Sequence, residues 1–271
     1  MSYLEIPVWR VLLSSGLVAL AIGLSRVARL DLERDLALGG VRAAVQLLAV
    51  GYALRLVVAS NHPALVLSIV ALMALVAAWT SVSRLTHGPS RRETFAVALA
   101  AVVAGALAAL VPVFVAVVEP KPWFDARYVI PIGGMMLSSA MNVVALVLER
   151  IFAAIDAERA AIEQRLSLGA DGKAALAPYE RAALRAALLP TINGLVTVGL
   201  VALPGMMTGQ IVSGVPPELA VRYQVVIMYQ LVAVAAVSGA VSAVAARRLA
   251  FDPWLRLRTF PPRPKKRAKG A

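Results

Sequence analysis

Two stretches of this sequence place side chains able to handle a ligand within an otherwise apolar chain. The first, YVIPIGGMMLSSAMNVVALVLER, begins at Tyr128 and carries Met135, Met136, Ser138, Ser139 and Asn142. The second, LLPTINGLVTVGLVALPGMMTGQIV, begins at Leu188 and carries Met206, Met207, Thr208 and Gln210. Thioether sulfur beside hydroxyl and amide oxygen is a ligand set for a soft or borderline metal ion. Binding would be transient, because no carboxylate or histidine is expected at the same depth. The same methionines also suit plain packing, since an unbranched thioether fills irregular gaps. In each stretch a proline precedes Gly-Met-Met: Pro131 before Gly134-Met135-Met136, and Pro204 before Gly205-Met206-Met207. Proline removes a helical hydrogen bond and glycine weakens the helix, so two interrupted spans are expected, their freed carbonyls facing protein or a cavity. Counting 1.5 Å per residue from the outer ends puts Met135 and Met206 at one level, roughly 10 Å below the outer face. A third apolar stretch adds Gln224, Met228 and Gln230.

The elements that position these residues must be membrane helices. The chain has 271 residues, of which 60% are hydrophobic and 15% charged. Its mean hydropathy is +0.79, more apolar surface than a soluble globule of this size can bury. The fold class is therefore all-α, a polytopic transmembrane bundle. Seven apolar segments of about 20 residues, enough to cross a bilayer, lie near 6–27, 39–59, 64–83, 94–118, 128–149, 187–212 and 222–246. The first reads as a span and not a cleaved signal peptide, for no small-residue cleavage pattern precedes the charges that follow it. Residues 1–246 form the transmembrane domain, with 150–186 as a cytoplasmic segment, and 247–271 form a basic tail, disordered from Arg256 onward and lying against anionic headgroups. Lys and Arg in the connections alternate sides unequally, 22 on one and 5 on the other. That asymmetry puts the N-terminus outside and the C-terminus in the cytoplasm of a multi-pass inner-membrane protein. Nucleic-acid binding is not expected, because no reading element accompanies the basic tail. The absence of cysteine excludes disulfides, thiolate metal sites and thiol catalysis. The two histidines, His62 and His87, fall in expected loops.

Two charged features stand apart. Arg42 and Gln46 share a helix face near the cytoplasmic end of the second span, and Glu149 lies about one bilayer thickness beyond Tyr128. Arg42 either snorkels or pairs with Glu149 at the inner end of the bundle, and Glu149 is either that partner or solvated at a helix end. Beyond it, IDAERAAIEQRLSLGADGKAALAPYERAALRAALLP alternates apolar residues with charges at helical spacing and is broken at Gly169 to Gly172. Such a segment lies flat on a membrane or docks into a partner's groove.

Glu163-Gln-Arg-Leu-Ser-Leu-Gly169-Ala170 resembles the cytoplasmic loop of ABC-transporter permeases, in which a glutamate precedes a glycine by six residues and a Leu-Pro opens the next span. Here Gln164-Arg165 replace two alanines, and Leu189-Pro190 lies farther on than usual. Together with GGVRAAVQLLAVGYALR, IPIGGMMLSSAMNVVALVLERI, LPTINGLVTVGLVALPGMMTGQIVSG and YQVVIMY, this pattern is similar to the FetB-like permeases between Gly39 and Tyr229. That bacterial family is associated with iron export, and its plant relatives with aluminium tolerance. The resemblance implies a transport subunit, not an enzyme, that exports a metal ion and forms a homodimer bound to a separate cytoplasmic ABC ATPase. Glu163, Leu168, Gly169 and Ala170 would then couple to the ATPase, and Met135, Met136, Ser139, Asn142, Met206, Met207 and Gln210 would meet the metal. No Gly-x-x-x-x-Gly-Lys-Ser/Thr loop occurs in the chain, so ATP and magnesium are expected on the partner and no cofactor here. Three alternatives stay open: an ATP-independent carrier, an ABC permease for an organic cargo such as a nucleotide sugar, and a membrane scaffold without transport.

Overall fold

A computed structural model describes residues 7–60, 62–252, 254 and 256–260. The chain divides into two units, Met1–His62 and Pro63–Ala271, and the described residues form nine helices. Five of these helices are long and apolar enough to cross a membrane, and four of the five lie in the second unit.

The first unit holds α1 (Val8–Val27) and α2 (Glu33–Ser60). Ser25, in the last turn of α1, ties them together: its hydroxyl donates to the Glu33 carboxylate at 3.0 Å and accepts from the Leu32 amide at 3.2 Å. Glu33 and Asp35 occupy the first turn of α2, where the helix dipole favours negative charge. That start is six residues earlier than the apolar pattern suggests. Arg42 and Gln46 sit on α2, and both are exposed within this unit.

The second unit is built around α5 (Ala126–Ala157). Its buried residues recur every three or four positions on one broad face, including Ile132, Met136, Val144, Leu148, Ile151 and Ile155. The helices α3 (Pro63–Ser83), α4 (Arg91–Ala116), α7 (Gly172–Thr197) and α9 (Pro217–Ala250) pack against it. Ser90 starts α4 with a reciprocal cap, accepting from the Glu93 amide while its own amide donates to the Glu93 carboxylate. Asp125 caps α5 and grips Arg127, whose guanidinium holds the Asp125 carboxyl below the usual carboxylate range. At the crossing of α4 and α9, Gly105 lets the backbones close: a Cβ there would meet Ser238 Cβ at 2.8 Å.

The sequence expectations need two corrections, at span five and past residue 246, whereas the expected interruption of span six is present. Span five does not break at Pro131, and α5 runs unbroken from Ala126 to Ala157. Pro131 lies in the second turn, where it removes one early hydrogen bond without stopping the helix. Span six is two helices: α7 continues through Pro190 to Thr197, residues 198–204 leave the helix, and α8 (Gly205–Val212) begins after Pro204. The chain past 246 is also ordered further than its composition suggests. α9 extends to Ala250, and beyond it the Arg258 amide bonds back to the Ala250 carbonyl, with Phe260 1% exposed and its ring centroid 5.0 Å from that of Phe152. Residues 261–271 of the expected tail lie outside the described residues.

Between α5 and α7 runs α6 (Arg159–Ser167), anchored by Ile162, which is fully buried. The Ala170 amide bonds back to the Arg165 carbonyl and the Gly169 amide to that of Leu166. This is the paired closure that ends a helix on a left-handed residue, and Gly169 has φ +90°. Asp171 then caps α7 through the Ala174 amide at 2.6 Å.

Candidate functional site

Three helices and the break in span six create two adjoining cavities. Ser139 and Asn142 of α5 share one stripe with Leu146, because positions three and four apart face the same way. Pro190, Thr191 and Gly194 of α7 lie opposite, and Met228 and Leu231 of α9 complete a cavity of about 280 Å³. The second cavity, about 370 Å³, is bounded by Leu195, Val198 and Pro204 at the break, by Met207 of α8, and by Gln224, Met228 and Tyr229 of α9. The break itself is a tight turn: the Gly199 amide donates to the Ala202 carbonyl, and Thr197 O accepts from the Val201 amide.

The polar chemistry here is neutral and unevenly satisfied. Among the described residues, three buried side-chain oxygens lack a hydrogen-bond partner, Oε1 of Gln210, Gln224 and Gln230; of these Gln224 lines the second cavity, while Gln230 faces α4, where its amide nitrogen donates to the Ala109 carbonyl at 3.4 Å. Gln224 is 6% exposed and Gln230 3% exposed. A buried acceptor left unpaired costs about 1–3 kcal/mol, a cost that a bound water, a ligand's donor or a cation would relieve. Amide oxygens beside thioethers accept from a hydrogen-bond donor or take a weakly held cation. Among the described residues no group of three or more His, Asp or Glu side chains is placed to hold a metal ion.

The expected ligands divide between these places. Ser139, Asn142 and Met207 line the cavities, with Gln224 and Met228 from span seven. Met136 is fully buried in the core, while Met135 and Met206 are half-buried against it. Met135 is one turn from Ser139 on the same stripe, next to Gly134, whose missing side chain makes room for Met73. Gln210 is half-buried on α8. Two participants escape the sequence reading. Arg84 donates to the Asn142 side-chain oxygen at 3.3 Å, at the edge of the first cavity, although its position after span three suggests only a topological charge. Pro190 and Gly194, an i, i+4 pair on α7, line the wall opposite Ser139 and Asn142.

A charged belt surrounds the other ends of these helices. Glu149 accepts from the Thr86 amide at 2.8 Å and from the Thr86 hydroxyl, and His87 lies between Glu149 and Asp156 at 3.9 and 4.0 Å. Glu149 is thus held by a loop of its own unit, eight residues before α5 ends. Glu180 of α7 pairs with Arg247 of α9 at 2.9 Å. Burial pushes the Glu180 carboxyl above its ordinary range, and Arg247 and Lys173 oppose that rise. Arg159 donates to the carbonyls of Leu257 and Arg258, and Arg258 reaches Glu93 at 3.5 Å. α6 carries Glu163 in an i, i+4 pair with Arg159 at 2.9 Å, and beyond it Leu168 is 81% exposed.

Apolar helices of spanning length, one apolar run interrupted within its length and a neutral cavity beside the interruption define a multi-pass membrane protein. The chain belongs to the Uncharacterised protein family (UPF0014), which matches residues 8–251. It is similar to the UPF0014 membrane protein slr1647 of Synechocystis sp., 38% identical over 79% of this chain and 82% of that protein. It is also 35% identical to the Probable iron export permease protein FetB of Escherichia coli, over 82% of this chain and 83% of the relative. A plant relative, Protein ALUMINUM SENSITIVE 3 of Arabidopsis thaliana, is 31% identical over 83% of this chain and 80% of its own length. No solved structure matches the chain.

Proposed function

We propose that this chain is the membrane subunit of an ABC transporter that exports a metal ion, iron being the first candidate, with ATP hydrolysed on a separate cytoplasmic subunit. One arrangement carries the reading. α6 joins α5 to α7, and α5 and α7 supply facing walls of the first cavity through Ser139 and Asn142 on one side and Pro190, Thr191 and Gly194 on the other. A push on α6 therefore reaches both walls at once. The glycine-ended turn gives α6 a fixed shape, and Leu168 offers a partner an apolar side chain that nothing in its own unit covers. The name of the Escherichia coli relative supports iron as the cargo, and the neutral thioether and amide donors suit a site that must also release it.

In this reading the connections rich in Lys and Arg face the cytoplasm, two copies of the chain pair, and Glu163, Leu168, Gly169 and Ala170 meet the ATPase. Arg42 and Glu149 stabilise the inner end of the path. One observation favours a different cargo: Arg84 at the edge of the first cavity repels a cation and suits an organic anion such as a nucleotide sugar.

The deciding experiment is co-purification of the detergent-solubilised chain with candidate ATPase subunits, followed by iron-dependent ATP hydrolysis on the complex. Leu168→Asp and Glu163→Lys are expected to release the ATPase while leaving the chain folded, since both positions are exposed. Hydrolysis unmoved by iron and raised by a nucleotide sugar would transfer the reading to the organic cargo. Failure to capture any ATPase would transfer it to a carrier that works alone.

A further inference from the structure

The two cavities share a single side chain, Met228. On α9 it lies one turn from Gln224, which faces the second cavity, and three residues before Leu231, which faces the first. Across from it on α7 is Gly194, and a Cβ built there would touch the Met228 methyl at 4.0 Å. Glycine leaves that wall without a side chain, and the Met228 methyl reaches to within van der Waals contact of the place a Cβ would take. Below this contact the cavity is lined by hydroxyl and amide groups; above it lie the orphaned Gln224 oxygen and the Met207 thioether.

We propose that Met228 is the partition of the permeation path, a one-residue gate closing against Gly194 and separating the Ser139–Asn142 chamber from the Gln224–Met207 chamber. Methionine is well suited to such a gate, because three rotatable bonds let it swing aside without moving the backbone, and its sulfur can touch a soft cation as it passes. The inference rests on the transport reading for the word path. The partition itself can be tested without any cargo.

The chain contains no cysteine, so single cysteines report accessibility directly. Ser139→Cys and Gln224→Cys, each in otherwise unchanged protein, are treated with a membrane-impermeant methanethiosulfonate in right-side-out and in everted vesicles. Reagent from the side that labels Gln224→Cys is expected to leave Ser139→Cys unlabelled. Adding Met228→Ala should speed Ser139→Cys labelling from that side by about tenfold or more, the rate change of a barrier lowered by roughly 1.4 kcal/mol. Met228→Leu, similar in bulk, should keep the block, and Gly194→Val added to Met228→Ala should restore it. If Met228→Ala fails to fold, Met228→Cys alone is informative, since a shared wall is labelled from both sides and a lining residue of one chamber from only one. Equal labelling of Ser139→Cys with and without Met228→Ala, or one-sided labelling of Met228→Cys, overturns the partition. An opened partition that leaves iron efflux unchanged upholds the gate and removes iron as the cargo.

Discussion

The two ends of α7 and α9 treat their polar groups in opposite ways. At one end, charge is matched to charge or to backbone: Glu180 with Arg247, Glu149 with Thr86, Arg159 with the carbonyls of Leu257 and Arg258. Toward the other, the helix is broken at residues 198–204, and three glutamine oxygens stay buried without a partner. A satisfied network fixes one geometry, whereas an unsatisfied one holds free energy available to a ligand. The first region is built as a frame, and the second offers acceptors that a water, a ligand's donor or a cation would satisfy.

Damage should therefore be greatest in the frame. Phe260→Ala removes a ring buried against Phe152 and is expected to destabilise the protein by about 3–5 kcal/mol, read as a lower thermal midpoint in detergent. Arg247→Leu leaves Glu180 buried without its cation and should cost about 3 kcal/mol. Replacing both by leucine should recover most of that loss, because an apolar pair of similar volume satisfies itself; a double variant no better than the single would mean that packing, not charge, dominates there.

In the second region the sign should reverse. Gln224→Leu removes an orphaned acceptor and is expected to raise stability by about 1 kcal/mol while reducing cargo efflux from loaded cells. A loss of stability would mean that the Gln224 oxygen is satisfied in the membrane and that the two ends differ less in their polar satisfaction.

The smallest effect concerns pH. Glu180 has its folded pKa raised by burial, so the stability linked to its protonation is complete below the ordinary carboxylate value and is lost as pH rises through the raised one. Asp125 has its folded value lowered by Arg127, so its contribution is present above the ordinary value and is lost as pH falls through the lowered one. Thermal midpoints of Glu180→Gln and Asp125→Asn across the acid range should diverge from the parent in opposite directions.

How much of this can be read from sequence varies by region. The all-α membrane class, five of the seven apolar segments as unbroken helices and the helix stop at Gly169 follow from composition and local chemistry alone. The interruption in span six is legible in Pro204 and Gly205, but its extent is not, since residues 198–203 are as apolar as the helices on either side. The same reasoning errs at Pro131, where an early position in the helix makes proline tolerable. Of the expected ligands, Ser139, Asn142 and Met207 line cavities, whereas Met136 faces the core because one residue turns a helix by about 100°. The frame is least legible. Pairs such as Glu180 with Arg247, or Phe152 with Phe260, join residues far apart, and the proline-rich, basic composition past Arg256 hides the two apolar anchors Leu257 and Phe260.

The segment that follows α9 also sets an order of assembly. Arg258 meets Glu93 across 165 positions of sequence, and the Phe260 amide meets Asp156 across 104. Contacts so distant in sequence carry a loop-closure cost before they reward it and are expected to form late. Until the segment docks, the Phe152 ring and the Arg159 guanidinium lack their partners from it, at the corner where α6 leaves α5. Docking is thus the step that covers this corner, which before it is open to chaperones and proteases.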